Sequence, residues 1–331
     1  MKGVSVIICC HNSEQRIEKT LVHIKQQEKT YDIPWEVVLV DNGSTDGTTS
    51  IARELWRQEE VIKLIIVTEE RLGLRYAREK GIKTACFGYI IFVDDDNWLS
   101  SEYVFKVYHN FESNSNVALI GGLGSPVSDS LLPIWYDLYQ KLYAVGKPVL
   151  QSGVLHRDSG FIYGAGMALR KSAYENLELR GFYSLCNDRR GNQLSGGHDV
   201  ELSFAFRLFG YDVMFDEKLV FAHYMDESRL TLHYLKRLSI GSAANTTNFI
   251  YYLLLNRKVK SNIMFTFFYF KRVIGDLIDF FILLMRNPKN HHDVAIMKAT
   301  YLSSIKYFAL NFFPSLAYYR NLKNCMMDNN L

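Results

Sequence analysis

Along the first hundred residues a short apolar run, a polar turn and an amphipathic stretch follow one another repeatedly. VSVIIC leads into HNSEQ and then into a segment with Ile17, Leu21 and Ile24 at i, i+4 and i+7, which places three apolar side chains on one helix face. EVVLV leads into the turn DNGSTDG and a helix through Ile51–Trp56, and KLIIV and YIIFV supply a third and a fourth run. Runs that are apolar at every position are strands covered on both faces, and strands separated by helices predict a parallel sheet. Ligands of such sheets bind beyond the carboxyl ends of the strands. That rule singles out His11-Asn12, Asp41-Asn42 and Asp94-Asp95-Asp96-Asn97.

From Asn110 the pattern loosens into VALIGGLG, a segment around Trp135–Tyr143, and GFIYGAGMALRKSAY. The loop NDRRGNQLSGG, the helix HDVELSFAFRLFG, the short strand YDVMFD and then FAHYM follow. Beyond Arg229 the chain reads as helix throughout, and Pro288 and Pro314 predict breaks in it, because proline removes a helix hydrogen bond. A boundary is expected near residue 228, and no internal repeat of fixed period is evident.

Composition sharpens the difference between the two parts. With 331 residues, 48% of them hydrophobic, the chain has ample material for a core and is not a disordered or low-complexity protein. Five cysteines, an odd number without a CxxC pair, predict reduced thiols, with Cys9 and Cys10 acting as small hydrophobes in the first strand. VSVIICC is too short for a secretory signal, so an intracellular protein is expected. Residues 1–228 hold 24 Lys and Arg against 31 Asp and Glu, whereas residues 229–331 hold 14 against 4 and carry 18 of the chain's 42 Phe and Tyr. Basic and aromatic together suit a membrane surface or nucleic acid. The longest uncharged stretch, Leu238–Asn256, is half Gly, Ser, Thr, Asn and Ala, so a peripheral helix is expected rather than a span of about 20 apolar residues.

Several constellations can carry chemistry. FVDDDNW sets three carboxylates at the tip of a buried strand, where adjacent anions are tolerable chiefly when a divalent cation neutralises them; hard oxygen ligands of this kind suit Mg²⁺ or Mn²⁺. An acidic surface turn is the plainer reading. Asp41 precedes the Gly-containing turn that it leads into, so turn chemistry explains Gly43 and Gly47 and leaves Asp41 to a base imide or a ribose hydroxyl. Asp199 opens a helix after two glycines, where it suits either the helix dipole or a general base facing an acceptor hydroxyl. His223 is a buried, hydrogen-bonded histidine or a ligand. Arg75, Arg78 and Arg229 can neutralise a diphosphate or simply face solvent. Neither a G-x-G-x-x-G after a strand nor a P-loop is present.

In order, VSVIICCHN, VDNGSTDGT, RLGLRYAREKG, VDDDN, GAGMALRKSAY, GGHDVEL and AHYMDESRL resemble the successive motifs of the inverting family 2 glycosyltransferases of bacterial polysaccharide type, over about residues 3–235. The resemblance implies an α/β GT-A fold: a doubly wound, mostly parallel sheet with a C-terminal helical extension. It divides the chain into a catalytic domain 1–228, with a nucleotide-binding half 1–110 and an acceptor half 111–228, and a basic, aromatic helical region 229–331. Asp41 would bind the base, Arg78 would lie near the diphosphate, and Asp94 and Asp95 would face the donor together with Cys10, Asn12 and Glu14. Asp96 and His223 would hold Mg²⁺ or Mn²⁺, and Asp199 would be the general base. Gly164, Ala165, His198 and Arg229 would border the acceptor.

Three departures from the family pattern stand out. Cys9-Cys10-His11 replaces a Pro-x-Tyr-like triplet, Glu79 takes an Asn place, and His198 stands where the family has Glu. The implied reaction moves a sugar from a nucleotide-diphosphate sugar, UDP favoured, to a hydroxyl of a glycan, polyprenyl-linked, in cell-surface polysaccharide synthesis. No nucleic acid partner is expected. The enzyme would sit in the cytoplasm on the inner face of the cytoplasmic membrane, held to an anionic surface by residues 229–331, unless that region packs on the domain or forms a homodimer face. A metal-dependent phosphatase or nuclease and a non-catalytic nucleotide-sugar-binding module are the competing readings.

Overall fold

The structure is a computed structural model and describes all residues except 60, 158–159, 187–188, 190–193, 195, 246–248, 286–290 and 328–331. Pro288 and most of the expected loop 187–197 therefore lie outside the described residues. In chain order the elements are β1 (Val4–Cys10), α1 (Ile17–Lys25), β2 (Trp35–Asp41), α2 (Thr48–Trp56), β3 (Lys63–Thr68), α3 (Leu74–Thr84), β4 (Tyr89–Asp94), β5 (Asn97–Leu99), α4 (Tyr103–Ser113) and β6 (Val117–Val127). The second half continues with α5 (Tyr136–Tyr139), β7 (Gly153–Val154), β8 (Ala168–Arg170), α6 (Lys171–Leu179), α7 (His198–Leu208), β9 (Asp212–Tyr224), α8 (Leu232–Asn245), α9 (Ile250–Asn256), α10 (Asn262–Met285) and α11 (His291–Met327).

The strands lie in the order β3-β2-β1-β4-β8-β6-β9-β5, with β7 pairing β9 outside that path. Pairing is parallel across β3-β2-β1-β4 and along β6–β9, and antiparallel where β8, β5 and β7 join. The expected doubly wound, mostly parallel α/β sheet is thus what the chain forms. Successive side chains of β1 point to opposite faces: Ile7 joins one hydrophobic cluster with Val38, Ile90 and Phe92, while Val6 and Ile8 join the other with Val37, Leu39 and Ile91. Helix α1 supplies Ile17, Leu21 and Ile24 to the second face, as their spacing predicts. Helix α3 covers the first and comes close, because a Cβ at Gly81 would sit 2.5 Å from Ile7 Cγ2.

Two expectations are corrected. YDVMFD and FAHYM are one continuous strand, β9, since its polar middle at Asp216, Glu217 and Lys218 spans a register irregularity against β6 rather than a turn. Pro314 does not end a helix but lies inside α11. The hydrogen bond that proline forgoes is outweighed locally by burial just beyond it, where Ser315, Tyr318, Tyr319 and Leu322 are all at most 1% exposed. The tail is continuous with the sheet's core: Tyr251, Tyr252, Phe265, Tyr269, Tyr318 and Tyr319 share a cluster with Ile7 and Val38.

Candidate active site

The carboxyl ends of three parallel strands come level, with Cys10 paired to Asp41 and Cys9 to Asp94. The segments that follow are fastened to one another by polar side chains. Asn12, in a left-handed conformation, accepts from the Thr45 amide at 2.8 Å, and Glu14 accepts from the Gly47 amide at 2.6 Å. Asp41 accepts from the Ser44 amide at 3.0 Å, so turn chemistry does engage this residue, contrary to the expectation. Asn42 donates to the Glu69 and Arg71 carbonyls and accepts from the Gly73 amide, which fixes the loop entering α3. Burial drives the Cys10 thiol well above its ordinary pKa, so it is a neutral wall residue.

Each of the three aspartates at the end of β4, Asp94 to Asp96, faces an arginine. Arg78 stands 3.8 Å from Asp94, Arg16 is 2.7 Å from Asp95, and Arg229 is 2.5 Å from Asp96. The Ser13 hydroxyl also donates to Asp95, and the Asn97 amide to Asp96 at 3.0 Å. His223 reaches Asp96 through Nε2 at 3.3 Å because β5 pairs antiparallel with β9, bringing Asn97 opposite His223. Burial raises the Asp94 carboxyl, with Arg78 opposing. Burial would also raise Asp96, but Arg229 and His223 override it and hold the carboxyl well below the usual range. Arginine thus contributes to neutralising the three adjacent carboxylates.

Asp199 stands at the start of α7, after Gly197 at φ 133°. Its Oδ2 accepts from the Gly164 amide at 2.7 Å and its Oδ1 from the Val200 amide at 2.9 Å, so both oxygens are oriented. A Cβ at Gly164 would lie 3.0 Å from Arg78 and 3.4 Å from Asp199, which makes this glycine the meeting point of the two. His198 is buried; burial first, then Arg78 and Arg75, push its pKa down to about 3, so it is a neutral imidazole. Arg75 is engaged elsewhere, by Glu79 at 2.7 Å and the Ser184 carbonyl at 2.9 Å. One turn along α7, the buried Glu201 accepts from the Ser184 hydroxyl, the Leu185 amide and the Tyr252 hydroxyl, tying α7 to the tail.

A cavity of about 1000 Å³ joins these groups. Of the expected residues, Cys10, Arg78, Asp94, Asp95, Asp96, Gly164, Ala165, Asp199, His223 and Arg229 line it. Asn12, Glu14, Asp41 and His198 are not among its wall residues. The sequence reading missed Arg16 and Tyr163, which also line it, and an apolar wall of Phe204, Leu238, Phe249, Ile250 and Leu253 that continues to Arg272. Arg16 carried one signal, a cation in the polar turn after the first strand. Nothing local marks the apolar wall, whose residues come from three helices and a connecting segment. Among the described residues the buried Tyr163 hydroxyl has no hydrogen-bond partner, and burial pushes its pKa up to about 12.

The family resemblance implies a divalent cation, and the residues fit one in kind. Asp96 and His223 present a hard oxygen and an imidazole nitrogen side by side, both nearly fully buried. Among the described residues no three His, Cys, Asp or Glu side chains form a complete set of ligands. The remaining positions would fall to water and substrate oxygens, as is usual for Mg²⁺.

Residues 5–178 match the model of the family described as "Glycosyl transferase family 2". Among curated proteins, the chain is 32% identical to the uncharacterised glycosyltransferase YfnE of Bacillus subtilis over 117 residues, 35% of this chain and 29% of that one. It is 35% identical to the putative teichuronic acid biosynthesis glycosyltransferase TuaG of the same organism over 96 residues, 29% of this chain and 36% of that one. The matched segments thus cover well under two thirds of these relatives. Among solved structures, S. aureus TarS 1–349 in complex with UDP-GlcNAc superposes with a TM-score of 0.51 at 16% identity, covering 76% of this chain and 70% of that one. GalNAc-T7 with UDP, GalNAc and Mn²⁺ gives 0.51 at 15% identity, covering 75% and 51%. At such identities the likeness shows a shared fold.

Proposed function

The chain belongs to glycosyl transferase family 2, and from that premise we propose that it moves a sugar, with inversion, from a nucleotide-diphosphate sugar to a hydroxyl of a lipid-linked glycan in cell-surface polysaccharide synthesis. The observation that carries the reading is that one cavity contains both Asp199 and the aspartates that end β4. Asp199, oriented by the Gly164 and Val200 amides, takes the proton from the acceptor hydroxyl as its oxygen attacks the anomeric carbon. A single displacement inverts that centre and needs no second carboxylate as nucleophile. Arg78 and Arg16 face the donor's diphosphate end, with Asn42 at the strand tips on the nucleotide side. Asp96 and His223 would hold Mg²⁺ or Mn²⁺, which when bound offsets charge on the departing diphosphate. A UDP-sugar is favoured because the fold's neighbours were solved with UDP-GlcNAc and with UDP and Mn²⁺. The apolar wall beyond Asp199 supports an acceptor carrying a polyprenyl chain, and the basic region 229–331 supports residence on an anionic inner membrane surface.

Thermal denaturation with a panel of UDP-, GDP- and dTDP-sugars, with and without Mn²⁺, tests the donor. A ligand at a hundred times its dissociation constant adds about 2.7 kcal/mol to the folded state, so a UDP-sugar with Mn²⁺ should raise the melting temperature. A melting temperature that moves with none of the panel refutes the reading.

A further inference from the structure

Helix α10 turns its apolar side chains the wrong way for a helix that only packs. Its buried positions, Phe265, Tyr269, Asp276 and Leu283, fall within an arc of about 40° at 100° per residue, and face α11, where Tyr269 donates to the Phe308 carbonyl and Ser304 to Asp276. The opposite arc, about 80° wide, is formed by Ile263, Phe267, Phe270, Ile274, Ile278 and Phe281, all between 49% and 82% exposed. Ordinary surface helices put charged and polar residues there. The stripe runs the length of a helix about 36 Å long. On α11 the exposed Leu310 and Phe313 extend it, next to Phe270, whose ring packs on Phe312.

We propose that this outward face of α10 is a seat for an anionic lipid bilayer, with the helix lying in the plane of the interface. The inference rests on the membrane residence proposed above and assigns it to particular residues. Charge favours lipid over a second copy of the chain. Lys271 borders the stripe, and the exposed Arg257, Lys258 and Lys260 lead into its amino-terminal end. The whole region 229–331 is strongly cationic, which draws it to anionic head groups and makes two such faces repel one another. Aromatic side chains such as Phe267, Phe270 and Phe281 partition into the head-group boundary. The inner side of α10 is occupied by α11, and among the described residues no helix is long and apolar enough to cross a membrane, so α10 lies on the bilayer rather than through it.

The test is co-sedimentation of the full chain with vesicles of phosphatidylcholine alone or with phosphatidylglycerol, for the wild type, Ile274→Glu/Ile278→Glu and Lys271→Glu. The two isoleucines are exposed, so the double variant should fold and keep its donor-induced rise in melting temperature. Its partitioning onto anionic vesicles should fall by about tenfold or more, since each isoleucine loses its interfacial burial. Lys271→Glu should mainly erode the preference for anionic over neutral vesicles. Unchanged vesicle binding by the double variant overturns the seat, as does wild-type binding that ignores phosphatidylglycerol. A wild-type dimer that the double variant splits overturns it in favour of a self-association face. Loss of donor stabilisation in the wild type would instead strike the proposed reaction and leave the vesicle result standing.

Discussion

The carboxyl edge of the sheet and the outer face of α10 are opposite answers to the question of where a side chain finds its partner. At the sheet edge, three consecutive carboxylates each face an arginine, and Asp96 adds a histidine and an amide. On α10, a row of isoleucine and phenylalanine faces outward while the helix's one buried carboxylate, Asp276, is bonded to Ser304. The first region satisfies itself within the chain, so a bound donor must exchange partners there. The second leaves its partner outside the chain, so it can be altered at little cost to folding. Substitutions should therefore separate chemistry and stability at the sheet edge from attachment at the tail.

The largest effect is expected at Asp199. If it is the base, Asp199→Asn should lower turnover by about 10²-fold or more while donor affinity, read by thermal shift, stays unchanged. Near-normal turnover would move the base elsewhere and empty the comparison of its chemical half.

Arg229 comes next. Removing one partner of a buried pair leaves the other charge uncompensated, at roughly 3–5 kcal/mol, so Arg229→Gln should lower the melting temperature of the donor-free protein. Because a cation can take the same carboxylate, Mn²⁺ should recover more stability in the variant than in the wild type, measured by calorimetry with and without EDTA. Equal responses to Mn²⁺ would detach Asp96 from the metal.

A more gradual effect is set by pH. His198 has a folded pKa of about 3 against 6.5 for the exposed imidazole, with burial the main cause. Between those values the unfolded chain binds a proton that the folded chain does not, so this contribution to stability is present above pH 6.5 and drains away on acidification. The slope is at most about 1.4 kcal/mol per pH unit. His198→Gln should flatten the fall in melting temperature between pH 6.5 and 4, and an unaltered profile would show that His198 is not held neutral. In the tail, by contrast, the Ile274→Glu/Ile278→Glu variant should leave the melting temperature almost unmoved.

The amino-terminal part of the sheet was legible because its signals are local. Ile17, Leu21 and Ile24 lie within two turns of one helix, and VSVIICC, WEVVLVD and YIIFVD are each buried along nearly their whole length as their composition demands. Asp94–Asp96 follow such a strand and Asp199 follows two glycines, so both could be picked out by position. Asn12, Glu14 and Asp41 are expected at the donor from their places after a strand, and in the structure their carboxamide and carboxylate groups also fasten neighbouring loops. A short polar side chain beside a turn serves either purpose equally well, and only the geometry distinguishes them.

What the sequence determined by itself is the layered α/β architecture and the motif positions at its carboxyl edge, since strand periodicity, turn residues and motif order are properties of adjacent residues. The tertiary structure decided the pairings. Asp96 meets His223 and Arg229 because β5 lies against β9, a register set by packing across more than a hundred residues of chain. Pro314 stays inside α11 because burial of the turn beyond it outweighs a missing hydrogen bond. Both faces of α10 carry large apolar side chains in the sequence, and their fates differ because one packs along α11 while the other stays largely exposed and touches it through Phe270. Periodicity shows that a face exists; which face is covered depends on what the rest of the chain brings to it.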